Sequence, residues 1–361
     1  MTLRLFPRAF VVLAFMAMMI GCGSSISDPD PALLGKLETL ANAEACGYGP
    51  RPDKPANLTR YAVGYSGDVC VELHDQQAGV ILMGGSTDVD AIFVEKVRPH
   101  IQGGNVVVLR TRGVAGYNDY LQHLTQAASV ETLIVDSRDK ANTEYVDWAI
   151  RSAEFVWFAG GDQSEYIRYW QGTAVQDALH YAYQKGAIIG GTSAGNAILS
   201  EIVYNPDGVG SAVSSEVATD FCDANIKFSG DFLQAPMLKG TITDTHFKQR
   251  DRMGRLMTFL AHHPARDLTG IAVSEQTALW VERDGWTDVF GQHEVYMVRA
   301  DAQTRYQQTA CGQPVIISDL LRYRLTPGDR YQLGSHETEV VPLRISLDGR
   351  QSPIYQPSNP Y

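Results

Sequence analysis

The stretch Ile188-Ile189-Gly190-Gly191-Thr192-Ser193-Ala194-Gly195-Asn196 has the residue types and spacing to do chemistry. An apolar run ends in G-x-S-x-G and a helix-like stretch follows, which is the sequence form of a nucleophile elbow. Such a strand delivers Ser193 to a sharp turn, where Gly191 and Gly195 bring no Cβ to block the backbone. The hydroxyl then stands at the edge of a sheet, within reach of a substrate carbonyl. The same five residues also suit a Gly-rich strand-to-helix turn of purely structural purpose, so the surroundings carry the weight.

Those surroundings alternate between strand and helix. Short apolar runs at 79–83, 106–109, 133–135, 155–158 and 187–189 are separated by helical patterns such as 90–100 and 175–185. This alternation predicts an α/β fold, a doubly wound and mostly parallel sheet with helices on both faces. Ligands bind such sheets at the carboxyl ends of the strands. Gly84-Gly85, Gly160-Gly161 and Ser193 all fall there. Past the elbow, residues 204–240 look like a glycine-bearing surface excursion, followed by a helix over 247–262 and a strand over 270–273. From Ala278 onward hairpin patterns dominate, with Gly285, Gly312 and Gly328 as turn signals. The expected organisation is an irregular lead-in over 37–78, an α/β domain over 79–285 and a β-rich extension over 286–361.

The start of the chain addresses compartment. Arg4 and Arg8 flank an apolar run too short to span a bilayer comfortably, so residues 1–22 are expected to be a signal peptide. Met19-Ile20-Gly21-Cys22 resembles the lipobox of bacterial lipoproteins, which makes Cys22 the expected lipidated residue and 23–36 a flexible tether. Ordinary secretion is the alternative, because Met19 stands where leucine is commonest. The lipid anchor is the only membrane contact expected. Export places Cys46, Cys70, Cys222 and Cys311 in an oxidising space. Four cysteines allow three pairings, and Cys46 with Cys70 is favoured because they share one short segment. None has metal-ligand spacing, and no metal or other cofactor is expected. A net charge of −11 argues against a nucleic-acid partner and would draw in a cationic substrate. A homodimer is allowed for.

Three pieces line up along the chain: Phe158-Ala159-Gly160-Gly161-Asp162-Gln163, the elbow, and Asp244-Thr245-His246-Phe247 continuing to Arg250, Arg252 and Arg255. Together, over about 79–279, they resemble cyanophycinases and their relatives in the dipeptidase E group of serine exopeptidases. The resemblance implies a fold like class I glutamine amidotransferases, with serine in place of their cysteine. It implies Ser193 as nucleophile, His246 as base and Glu275 as the acid that orients the imidazole. The backbone of Gly161 and Ala194 would form the oxyanion hole. Gln163, Asp244, Thr245 and the three arginines would bind substrate, a β-linked aspartyl-arginine peptide from a cyanophycin-like polymer or an aspartyl dipeptide. Arginine forks would take its carboxylates and Asp244 its guanidinium. On a helix Arg252 and Arg255 share a face and Arg250 points elsewhere, so at least one of the three should be a structural partner. Thr245 departs from the family, where glutamine is common before the histidine. An α/β-hydrolase esterase and an inactive ligand-binding lipoprotein are the competing readings. The esterase fold orders its triad serine, acid, histidine, whereas His246 precedes Glu275 here.

Overall fold

The computed structural model describes residues 46–65, 67–73 and 77–361. The expected signal peptide, the tether and Cys22 lie outside the described residues. The first strands are β1 (Thr59–Gly64), β2 (Gly79–Met83), β3 (Asn105–Arg110), β4 (Ser129–Ile134), β5 (Phe155–Phe158) and β6 (Ile188–Thr192). Then come β7 (Ile202–Tyr204), β8 (Phe228–Gly230), β9 (Thr241–Asp244) and β10 (Thr269–Val273). The remaining strands are β11 (Thr277–Glu282), β12 (Trp286–Gly291), β13 (Val295–Arg299), β14 (Arg305–Gln308), β15 (Ile316–Leu325), β16 (Arg330–Gln332), β17 (Leu343–Asp348) and β18 (Tyr355–Gln356).

The strands β4, β3, β5, β6 and β2 lie side by side in that order, all parallel. Their sequences are near-continuous apolar runs because both faces are covered. On one face Val80, Leu82 and Val156 pack with Val146, Ile150 and Leu179 from the helices Glu144–Ser152 and Ala174–Gln184. On the other, Ile81, Val108 and Trp157 meet Phe93 and Val97 from the helical stretch 90–101, with Leu121 from the helix Asn118–Thr125. This is the expected α/β arrangement. Alternate side chains of each strand point to opposite layers, which is why single-residue alternation is absent from the sequence but present in the packing.

Three expectations need correction. The lead-in is not irregular throughout, since β1 pairs antiparallel with the edge of the parallel set at β4. The expected boundary at 285 falls in the turn of the β11–β12 hairpin, and β12 and β16 extend the first sheet. Most of the C-terminal strands join β7, β8, β9 and β10 in a second, mainly antiparallel sheet, in the order β18-β17-β15-β13-β10-β9-β7-β8. The extension is therefore woven into both sheets. The helix expected over 247–262 starts at Met253 and ends at Ala261. His246 and Asp251 have φ of 46° and 44°, left-handed values that turn the chain sharply before the helix can begin. Cys46 pairs with Cys70, and Cys222 with Cys311. Among the described residues no helix is long and apolar enough to cross a membrane.

Candidate active site

β6 ends at Thr192, and Ser193 follows with φ 54° and ψ −118°, a conformation that non-glycine residues avoid. Packing holds it there. A Cβ on Gly191 would lie 2.4 Å from the carbonyl carbon of Gly195, and one on Gly195 would lie 2.2 Å from the carbonyl oxygen of Phe158. The two glycines of the elbow are therefore required by close backbone approach. A strained residue of this kind costs about 1–3 kcal/mol, offset by the surrounding fold.

The other two members of the expected triad come from the second sheet. His246 follows β9 and Glu275 follows β10, strands that pair in parallel. The sheets meet at Gly84-Gly85 beyond β2. There the His246 N–H donates to the Gly84 carbonyl at 2.8 Å, and the Gln276 N–H donates to the Gly85 carbonyl at 3.0 Å. A Cβ on Gly85 would stand 2.5 Å from the imidazole. Across this seam His246 Nδ1 lies 2.7 Å from Glu275 Oε1, and His246 Nε2 lies 2.8 Å from Ser193 Oγ. An ionised carboxylate can only accept, so Nδ1 carries the proton and Nε2 offers its lone pair to the serine hydroxyl. Gln249 Oε1 accepts the Glu275 N–H at 3.0 Å and steadies the acid.

Burial holds His246 below the ordinary imidazole value of 6.5. The hydrogen bond to Glu275 opposes that shift, and the Arg250 and Arg252 charges add to it. In the expected role of base His246 must be unprotonated to accept the serine proton, so activity is expected to fall as pH drops through the His246 value. At pH 6.5 more than half of the kcat/KM plateau should remain. A pH–rate profile whose acid limb has its midpoint above 6.5 would contradict this assignment.

Ser193 and His246 open on a cavity of about 310 Å³. Gly161, Gln163, Ala194, Asp244, Thr245, Arg250, Arg252 and Arg255 all line it, so the structure gathers the expected site residues around one space, with Glu275 behind His246. Among the described residues, no backbone acceptor takes the N–H of Gly161 or Ala194. Asp162 caps the helix Gln163–Trp170 by accepting the Ser164 N–H at 2.9 Å, which sets Gln163 at the cavity rim.

The charges are arranged differently from expectation. Asp244 is fully engaged with Arg255, whose Nε lies 2.7 Å from Oδ2 and whose Nη2 bonds Oδ1. Arg255 also donates to Ser211 Oγ at 3.0 Å and to the Ala212 carbonyl at 3.2 Å, and it lies over the Tyr204 ring. Arg255 is thus the structural member of the arginine set, and Asp244 is already taken as a partner for a substrate cation. Arg252 lies across from Asp244 at 3.4 Å and donates to the Thr245 carbonyl at 2.7 Å. Burial lowers Arg252 to about 10, still charged at neutral pH but poorly solvated. Arg250, half exposed, stands 3.9 Å from Glu275. With Asp244 satisfied, the net demand of the cavity is for an anion.

Several of these parts leave no mark in the sequence. Gln249 gave no signal, because its role depends on where Glu275 lands. Tyr204, Pro206, Val209 and Ser211 bring one end of the excursion in as a cavity wall. Gly85 lies just past the end of β2, as its sequence context predicts, but its contact with His246 depends on the second sheet.

The model of peptidase family S51 matches residues 110–289, a span that holds Ser193, His246 and Glu275. The chain belongs to peptidase family S51. Within it, the chain is 28% identical over 225 residues to a cyanophycinase of Nostoc sp. (strain PCC 7120), covering 61% of this chain and 70% of that protein. It is 24% identical to the cyanophycinase of Geminocystis herdmanii over 60% of this chain and 77% of that one. A solved peptidase from an acI-B1 actinobacterium shares 17% identity at a TM-score of 0.46, over 71% of this chain and 96% of that one. A putative peptidase E protein from Listeria monocytogenes shares 15% at 0.41, over 60% and 98%. This S51 member therefore resembles cyanophycinases in sequence, and most of its second sheet beyond β12 lies outside the matched family span.

Proposed function

We propose that this S51 chain is an exported serine peptidase that cleaves small acidic peptides of the aspartyl type through an acyl-enzyme. The observation that carries the reading is the hydrogen-bonded series Ser193–His246–Glu275 opening on an arginine-lined cavity. Ser193 Oγ attacks the scissile carbonyl carbon as His246 Nε2 takes its proton, and Glu275 stabilises the imidazolium. The Gly161 and Ala194 N–H groups hold the developing oxyanion. The C–N bond then breaks, the imidazolium gives its proton to the leaving amine, and an ester remains on Ser193. Water, deprotonated by His246, attacks that ester and restores the hydroxyl as the acid is released.

Arg252 and Arg250 favour a substrate carboxylate beside the scissile bond, which an aspartyl residue supplies. Asp244, held by Arg255, favours no guanidinium in the leaving residue. The expected result is cleavage of β-aspartyl peptides, with matched asparaginyl peptides slower by about tenfold or more, the scale of one lost charged contact. β-Aspartyl-arginine should then be no better a substrate than β-aspartyl-alanine. Hydrolysis of simple esters without peptide cleavage would sink the reading. Export is supported by the two disulfides, which persist in oxidising compartments. A mature protein starting at a lipidated Cys22 in mass spectrometry checks it, and an unprocessed first segment refutes it.

A further inference from the structure

Residues beyond the family-matched span reach back to the active site. The turn 246–255 carries His246, Arg250, Arg252 and Arg255, and Asp251 at its bend has φ 44°. The Tyr361 hydroxyl donates to Asp251 Oδ1 at 2.7 Å and accepts the Met253 N–H at 3.1 Å. The Tyr355 hydroxyl donates to the same Oδ1 at 2.9 Å and accepts the Gly254 N–H at 3.1 Å. Ser214 completes the clasp, donating to the Asp251 carbonyl and accepting the Arg255 N–H. The Tyr361 ring also stands edge-on to Phe247, next to the base, and to Tyr296 behind it. Each tyrosine hydroxyl has one proton to donate and lone pairs to accept, so a single side chain satisfies both the bend and the start of the helix.

We propose that residues 352–361 are a strap that positions the cavity arginines. Tyr355 and Tyr361 act through Asp251 and the first N–H groups of the helix Met253–Ala261 to set the direction in which Arg252 and Arg250 meet a substrate carboxylate. The proposal rests on the functional reading above. Neither tyrosine lines the cavity, so both are positioning residues. The glycine at 254 fits the same design. A Cβ there would lie 2.9 Å from the Ser214 Cβ and 3.1 Å from the Tyr355 hydroxyl, which would force the clasp apart.

The test is the double variant Tyr355→Phe/Tyr361→Phe, which keeps both rings and removes both hydroxyls, with Tyr306→Phe as a control away from the site. KM and kcat are measured for an aspartyl peptide and its asparaginyl match. KM for the aspartyl peptide should rise about tenfold relative to the match, with kcat changed less than about threefold and the acid limb of the pH profile unmoved. Asp251→Ala, which removes the Oδ1 that both hydroxyls share, should shift the same ratio in the same direction. An unchanged KM ratio overturns the strap. So does an equal loss of kcat/KM on both peptides with a lowered melting temperature, which marks a merely structural role. A wild type that does not distinguish the two peptides overturns the functional reading, and the strap's purpose with it.

Discussion

Ser193→Ala should lower kcat/KM by at least about 1,000-fold while leaving thermal unfolding unchanged, because in the proposed mechanism the hydroxyl is the atom that forms the acyl bond. The expected residual rate, supplied by binding and the oxyanion hole, is small but above that of water. Stability is preserved for a local reason. The Ser193 hydroxyl bonds only His246 in the described structure, and the turn is held by the Ser193 N–H to the Met83 carbonyl at 3.1 Å and by the packed glycines on either side. Relief of strain by alanine is not expected, since alanine meets the same restriction at φ 54°. His246→Ala should lose a comparable factor, and the double variant little more, because the two residues act as one unit. Steady-state kinetics on a peptide substrate decides it. Activity of Ser193→Ala within tenfold of wild type would remove Ser193 as nucleophile.

Asp244→Ala has its main effect on stability. Asp244 and Arg255 each have 3% of their side chain exposed, and the variant leaves a buried guanidinium facing Tyr204 and the cavity floor without its carboxylate. Breaking such a pair from one side costs about 3–5 kcal/mol. For a chain of this size that lowers the melting temperature by on the order of 10 °C. Asp244→Asn keeps acceptors for Arg255 and should lose less. From the residues alone the same substitution is expected to change selection for arginine in the substrate. A variant that melts with the wild type but alters that selection would restore the substrate role and refute the pairing. Thermal unfolding and a small peptide panel separate the two outcomes.

How much could be foreseen depends on how local the cause is. β2 and β5 were legible because buried parallel strands need unbroken apolar runs, and those runs are visible without knowing the neighbours. β1 was not, since its residues are half exposed and are made a strand by the edge of β4. The helix after His246 begins later than expected because the polar run Lys248-Gln249-Arg250-Asp251-Arg252 suits a helix as well as a turn, and the left-handed conformations of His246 and Asp251, which their types only favour, are fixed by tertiary contacts. The second sheet was hidden for a related reason. Its hairpins were visible, but the sheet they would join was not.

The sequence by itself determined the elbow, because G-x-S-x-G after an apolar strand constrains its own backbone, and it determined the parallel α/β core, because burial on both faces leaves a continuous apolar record. Tertiary structure decided which groups meet. Glu275 reaches His246 through the seam at Gly84-Gly85, Asp244 is paired with Arg255, and Tyr355 and Tyr361 return from far along the chain to hold the arginine turn. Hydrogen-bond and charge partners are chosen by distance in space, and a residue's type fixes what it can donate or accept but not which neighbour will be there to receive it.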